Sequence, residues 1–243
     1  MCASGTMQTD TRRTRPRNRL LSRLPDEDFE RLAPHLRTFE MTNKLVLQRP
    51  NEHIHEVFFP ESGVVSVTTM MLDGSAVEVA TVGSEGLVGI NAFLGGSIAN
   101  TESMVQVPGG TAVALPVAVF RHEVEQAGPF RDRVQRYSQG LMGLMVQSAA
   151  CLALHSVEAR CCRWLLMAHD RAGRKAFQLS QEFLAMMLGS SRQTVNVVAT
   201  ALQKDGIISY AYGRVNVLDR VRLEQGACEC YRTVEDLFAQ LEL

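Results

Sequence analysis

The chain is poor in the features that usually announce an enzyme or a membrane protein. Among its 243 residues there is one tryptophan, and aromatics make up only 6%. It holds no P-loop, no Ser-His-Asp order and no carboxylate pair in a recognisable frame, which leaves an enzyme as the weakest functional class. The six cysteines, Cys2, Cys151, Cys161, Cys162, Cys228 and Cys230, include no Cys-x2-Cys pair to open a zinc or iron–sulfur site. No metal or cofactor is therefore assigned. Cys228-x-Cys230 reads as plain thiols more readily than as a redox pair. His53-x-His55 has no third ligand nearby, and His35, His122, His155 and His169 read as surface or interface residues. A net charge of −1 supplies no overall attraction to nucleic acid, although only one face need be basic for that partner. Long apolar runs are also missing. Gly140 to Val157 comes nearest, but Gln147, Ser148 and His155 interrupt it, and a spanning helix needs about 20 mostly apolar residues. The opening residues are polar and Arg-rich with no apolar core, unlike a secretory signal. The expectation is a cytoplasmic protein without membrane contact.

What the chain does have is LSQEFLAMMLGSSRQTVNVVATALQKDG, residues 179–206. Ser180 is suited to cap a short helix over Gln181 to Leu188, because its hydroxyl accepts from a free first-turn amide. Gly189 ends that helix. Ser191 caps a second one running to about Lys204, with Val195, Val198 and Leu202 on its inward stripe. Small Ala185 lets two helices cross closely. Arg192, Gln193, Asn196 and Thr200 then point outward. Arg suits guanine and Gln or Asn suits adenine in a major groove, so double-stranded DNA is the expected partner. A plain helical hairpin with a solvated Arg192 is the blander reading, and the polar outward face weighs against it. The basic runs Arg160 to Arg163 and Arg171 to Lys175 would add local positive charge. After the second helix, apolar runs flank Tyr212-Gly213, giving a β-hairpin wing with Arg214 at its tip for a phosphate.

The remaining segments fall into order around this pair. Residues 1–17 read as a disordered basic arm. Asn18 to Met41 has helical apolar spacing, bent by Pro34. Short β-branched runs follow at Val57 to Phe59, Val64 to Met71, Val77 to Val82, Met104 to Val107 and Ala112 to Leu115, separated by Gly, Asp and Pro turns. Regular turns of this kind predict a compact antiparallel roll over 18–129 with its lead-in helix. A long helix over 130–155 carries Val134, Leu141, Leu144, Met145, Ser148, Cys151 and Leu152 near heptad spacing, with Gly140, Gly143, Ala149 and Ala150 for close approach. That reads as a dimerisation helix. Residues 156–222 make a winged helix-turn-helix, and 223–243 a C-terminal helical extension. The fold class is α+β.

Lead-in helix, β-roll, long helix and winged helix-turn-helix, in that order, resemble the CRP/FNR family of bacterial transcription regulators. The sharpest match is Gly-x-Ser-Arg-x-Thr-Val followed by Leu-x-x-x-Gly-Ile-Ile, within residues 179–208. The resemblance implies a sequence-specific DNA-binding homodimer on a palindromic operator, a cyclic-nucleotide-binding-like sensor domain, and RNA polymerase as a candidate partner. It places Arg192, Gln193 and Asn196 at the bases and Ser180, Ser191 and Thr194 near the backbone. The familiar member has an acidic residue where Gln193 stands and an Arg where Asn196 stands, so the resemblance does not carry over an operator sequence. In the sensor half, family members that bind cyclic nucleotides carry Gly-Glu and, about ten residues on, Arg-Ser or Arg-Thr, the Arg holding the phosphate. The ungapped match here is Gly89-Ile90 and Asn100-Thr101. No Arg lies between Arg49 and Arg121, so cyclic AMP is not the expected effector. Glu85, in Gly83-Ser84-Glu85-Gly86, is the one candidate acid if the loop shifts. Glu85, Gly86, Gly89, Asn100 and Thr101 are the effector-pocket candidates, for a neutral or apolar ligand or for none. The cysteine cluster of the family's oxygen sensors is missing. The competing reading is a sensing module whose helix-turn-helix contacts protein instead of DNA.

Overall fold

The computed structural model describes residues 15–173 and 176–243. Most of the expected basic arm, residues 1–14, lies outside them. Its last residues are anchored. Arg15 donates to the Leu24 carbonyl at 2.6 Å and pairs with Asp26, and the Arg17 amide donates to Glu61 at 2.9 Å. Asn18 is fully buried and fully used: its Oδ1 caps Leu20 N at 3.0 Å, while its Nδ2 donates to Pro60 O and Gly86 O at 2.9 and 2.8 Å. This polar anchor fixes where the chain enters the roll.

The expected lead-in helix is shorter than its spacing suggests. It consists of α1 (Arg19–Ser22) and α2 (Asp26–Leu32), and the segment around Pro34 is a 3-10 turn. Pro34 cannot supply the amide that would continue the helix. The chain then extends into β1 (Arg37–Met41), so Phe39 and Met41 belong to a sheet. A short β2 (Val46–Gln48), which no period-2 run of three residues announces, follows it. The other strands are β3 (Glu56–Pro60), β4 (Val64–Met70), β5 (Ala76–Val82), β6 (Glu102–Val107) and β7 (Gly110–Pro116). Each contains or closely matches an expected run. They form two antiparallel sheets, ordered β1-β7-β3 and β2-β6-β4-β5. Phe59, Val65, Val105, Val107 and Leu115 are fully buried in the core. Gly63 shows how tight the roll is: at φ +82°, a Cβ there would stand 2.5 Å from the Val107 carbonyl oxygen.

After α3 (Val117–Glu125), the long α4 runs Pro129–Leu154, opened by a proline in its first turn. Its inward side is not a dimer seam. Val134, Leu141, Leu144, Ser148 and Cys151 are buried within the chain. Gly140 and Gly143 face the C-terminal helix, where added Cβ atoms would meet Leu241, Phe238 and Leu237 at 2.4–3.4 Å. The helical spacing was legible, but spacing cannot say which partner covers a stripe. His155 is extended, and Ser156 caps α5 (Val157–Ala172) through Ala159 N at 3.2 Å. Then come β8 (Ala176–Gln178), α6 (Gln181–Met187), α7 (Arg192–Lys204), β9 (Ile208–Ala211) and β10 (Arg214–Val217), with sheet order β8-β10-β9. The wing thus has a third strand that the sequence did not signal. The chain closes with α8 (Arg220–Gly226) and α9 (Cys230–Gln240), so the boundary expected at 222/223 falls inside α8. No helix among the described residues is long and apolar enough to cross a membrane.

Candidate nucleic-acid interface

Both expected caps form. The Ser180 and Ser191 hydroxyls accept from Phe183 N at 3.2 Å and Thr194 N at 3.1 Å, and Thr194 Oγ1 lies 2.9 Å from Ser191 Oγ. Between the helices Gly189 takes φ +54°, and Ala185 is buried at the crossing. The inward stripe of α7 is Val195, Ala199 and Leu202, with Val198 only half-buried. Ala199, four residues after Val195 and three before Leu202, takes the place given to Val198. Arg192, Gln193, Thr194, Asn196 and Thr200 are all exposed on the opposite side.

Two further residues join this face. Val197 is 69% exposed between the polar side chains, where its methyl groups suit the C5-methyl of thymine. Its spacing, four after Gln193 and three before Thr200, could have revealed it. Gln181 donates to Asn196 Oδ1 at 3.2 Å and orients that amide. Arg192 pairs with Glu182. Both are exposed, so exchanging this pair for a base or phosphate costs little. At the wing, Tyr212 and Gly213 have φ of +52° and +69°, as a two-residue type I′ turn requires. Arg214 is exposed beside that turn.

Among the described residues, Arg160 and Arg171 of the expected basic runs do not enlarge the positive face. Arg160 is buried and donates to the Leu152 carbonyl at 2.8 Å. Arg171 is largely covered where it pairs with Glu85, and residues 174 and 175 lie outside the described part. Sequence counts these as charges, while the fold uses the first two internally.

The five effector-pocket candidates are divided by the structure. Gly89, Asn100 and Thr101 line a cavity of about 410 Å³ between the roll and α4, with Gln48, Leu87 and Met145 among its walls. None of its lining residues is charged. Asn100 Oδ1 accepts from Asn91 Nδ2 at 2.8 Å. Glu85 and Gly86 lie elsewhere. Glu85 accepts from Arg171 Nε at 2.8 Å and Gly83 N at 3.1 Å, and a Cβ on Gly86 would collide with the Tyr137 ring at 2.2 Å. Gly83-Ser84-Glu85-Gly86 is thus a packing and ion-pair loop.

A second contact joins the roll to α5. Glu78 of β5 accepts from Trp164 Nε1 at 2.8 Å and Ser66 Oγ at 2.6 Å. Burial holds its carboxyl up at about 7, against these hydrogen bonds and the lesser pull of Arg163 and Arg171. The native pKa exceeds the ordinary 4.5, so the native state holds the extra proton between the two values. Its stabilisation is full below about pH 4.5 and is lost as pH rises through about 7, amounting to about 3 kcal/mol. Glu78→Gln is expected to flatten this part of the unfolding profile between about pH 5 and about pH 8. Trp164 is the sole tryptophan, so its fluorescence reports the transition directly. An unchanged slope in the variant would assign the pH dependence to other groups.

Comparison with known proteins agrees with this architecture. Residues 159–225 match the family model of the Crp-like helix-turn-helix domain. Transcriptional regulator LdrP of Thermus thermophilus is 29% identical over 189 residues, 72% of this chain and 89% of that protein. Transcriptional regulator SdrP of the same organism is 26% identical over 169 residues, 67% and 79% of the two chains. Among solved structures, a CRP-family transcriptional regulator from Thermus thermophilus superposes with a TM-score of 0.65 at 24% identity, covering 79% of this chain and 96% of its own. FixK2 of Bradyrhizobium japonicum gives 0.67 at 15% identity, covering 79% and 98%. LdrP, SdrP and the first of these structures are named as transcriptional regulators. Residues 159–225 are thus similar to Crp-like helix-turn-helix domains, and with its β-roll and the long helix between them the chain shares the fold of CRP-family transcriptional regulators.

Proposed function

We propose that the protein is a cytoplasmic, homodimeric, sequence-specific DNA-binding regulator governed through its β-roll. The exposed polar face of α7, with Arg192 and Gln193 at its capped N-terminus, is the single observation that carries DNA reading. Arg214 beside the wing turn supplies a phosphate contact. A two-fold dimer presents two such helices about 34 Å apart, matching half-sites one helical turn apart on a palindromic operator. RNA polymerase is the partner through which a bound dimer would act on a promoter.

The signal enters at the uncharged cavity. A cyclic nucleotide would bring a phosphate into a space with no cation to pair it, an arrangement that costs several kcal/mol. The effector is therefore a neutral or apolar small molecule and not cyclic AMP. Ser138, Leu141, Met142 and Met145 of α4 form one wall. A ligand there shifts the balance between positions of α4, and with it the spacing of the two readers.

Mobility shifts on promoter fragments across a salt series test the reading. Arg192→Ala is expected to weaken specific binding by about 1–3 kcal/mol and relax preference at one base position. Equal binding of all sequences by wild type and variant would refute specific reading by α7. An absence of any salt-dependent DNA affinity would favour a protein partner for the helix-turn-helix.

A further inference from the structure

The end of α4 and the approach to α9 hold a cluster that DNA reading does not use. Cys151 lies in the last turn of α4, and His155, the residue that caps this helix, donates its backbone amide to the Cys151 carbonyl. Cys228 lies in the turn that leads into α9, and Cys230 is the first residue of that helix. The three thiol sulfurs and a ring nitrogen of His155 all lie within 4.8 Å of one another. Cys151 Sγ to Cys228 Sγ is 3.5 Å, and Cys230 Sγ to His155 Nδ1 is 3.5 Å. A tetrahedral zinc ion, with bonds of about 2.3 Å to sulfur and about 2.0 Å to nitrogen, sets ligand edges of about 3.8 Å (S to S) and about 3.5 Å (S to N). The Cys151–Cys228 and Cys230–His155 spacings are within a few tenths of an ångström of those edges, and the rest of the set, all within 4.8 Å, would draw in by at most about 1 Å.

The surroundings point the same way. His155 Nε2 lies 3.1 Å from Glu229 Oε1, a carboxylate on the ring nitrogen that does not face the sulfurs. Such a partner fixes the ring and its tautomer in histidine–metal sites. Gln147 Nε2 donates to Cys230 Sγ at 3.0 Å. Arg163 acts on Cys151 as a nearby positive charge, and its Nε and Nη1 are buried without a hydrogen-bond partner. Three thiolates around a divalent ion carry one net negative charge, which that guanidinium balances.

We propose that Cys151, His155, Cys228 and Cys230 form a closed Cys3His site for one zinc ion that pins the C-terminal helix to the hinge between α4 and α5. Four protein ligands leave no open position, so the site is structural and not catalytic. Binding displaces the three thiol protons to solvent and leaves the oxidation state of every sulfur unchanged. A multi-iron cluster would spread its ligands over separate metal atoms, and these four converge on one point. A Cys151–Cys228 redox pair would leave the alignment of His155 with Glu229 without a purpose. The ion bears directly on His155, the extended residue from which α5 and the reader domain depart. Sequence spacing hides the site because its two halves are more than seventy residues apart, with 77 between Cys151 and Cys228.

The test uses the full chain, reduced and stripped with a chelator, then titrated with zinc against a chromophoric competitor and separately with cobalt. One zinc per chain is expected, together with sulfur-to-cobalt charge transfer and the intense ligand-field bands of a tetrahedral site. Glu229 is exposed, so Glu229→Gln should keep the fold and bind zinc about 10–100-fold more weakly. Cys228→Ser should lose stoichiometric uptake, while Cys161→Ala, a buried thiol outside the cluster, should keep it. Absence of stoichiometric zinc in the reduced wild type would overturn the site, as would an octahedral cobalt spectrum without charge transfer. A Cys151–Cys228 disulfide in protein that takes up no metal after reduction would make the cluster a redox pair instead.

Discussion

Val146→Glu is expected to leave the protein monomeric and to cut its affinity for a two-half-site operator by about 10²–10⁴-fold, the gain that linked binding confers. The exposed side of α4 carries Gln135, Gln139, Met142, Val146, Ala149 and Ala153. Their spacing is four, three, four, three, four, the a/d rhythm of a two-helix seam. Met142 and Val146 are 64% and 66% exposed, so large apolar side chains near the middle of this row lack cover from their own chain. In an isologous pair Val146 would approach the two-fold axis, and two introduced carboxylates would face each other with no cation beside them. Because Val146 is largely uncovered in the single chain, the substitution should barely alter its stability. Light scattering after size exclusion gives the oligomeric state, and mobility shifts on full and half operators give the affinity. A dimeric variant with wild-type affinity would move the interface elsewhere.

Removing the Arg171 guanidinium should destabilise the folded chain by about 3–5 kcal/mol, the usual cost of stranding one member of a buried ion pair. The Arg171 and Glu85 side chains are only 12% and 10% exposed, and their 2.8 Å contact joins α5 to the loop after β5. Burial alone would raise the Glu85 carboxyl. The charge and hydrogen bond of Arg171 outweigh it, and the carboxyl titrates below its ordinary value. The contribution of Glu85 is therefore present above the ordinary carboxylate range and lost as pH falls through its lowered native pKa, opposite in sign to that of Glu78. Urea midpoints of Arg171→Met, Glu85→Gln and the double variant measure the pair. Each single change should cost several kcal/mol and the double change much less than their sum. Single losses below about 1 kcal/mol would show that the pair behaves as if solvated.

Much of the reader domain was legible along the chain because its determinants are local. A serine cap, a small crossing residue, a positive-φ glycine and a second serine cap act over a few residues, so Ser180, Ala185, Gly189 and Ser191 announced the helix pair. Tyr212-Gly213 likewise announced the wing turn. The roll's longer strands were legible through their β-branched runs. β1 was hidden by apolar residues whose spacing also fits a helix, and the lengths of β2 and β8 gave no period to read.

The chain order by itself determined the class of protein: a roll, a long helix and a capped helix pair that displays Arg192, Gln193 and Asn196. It also determined that no arginine is available to a phosphate between Arg49 and Arg121. Only the tertiary structure decided which stripe of α4 is covered. Periodicity gives a face its width, while α9 and the roll decide which face is inside. The fold alone turned Arg160 and Arg171 from surface charge into internal partners and took Glu85 away from the cavity. It also brought Cys151 and His155 to Cys228 and Cys230. Such pairings depend on where distant segments come to rest, and spacing along a chain holds no record of that.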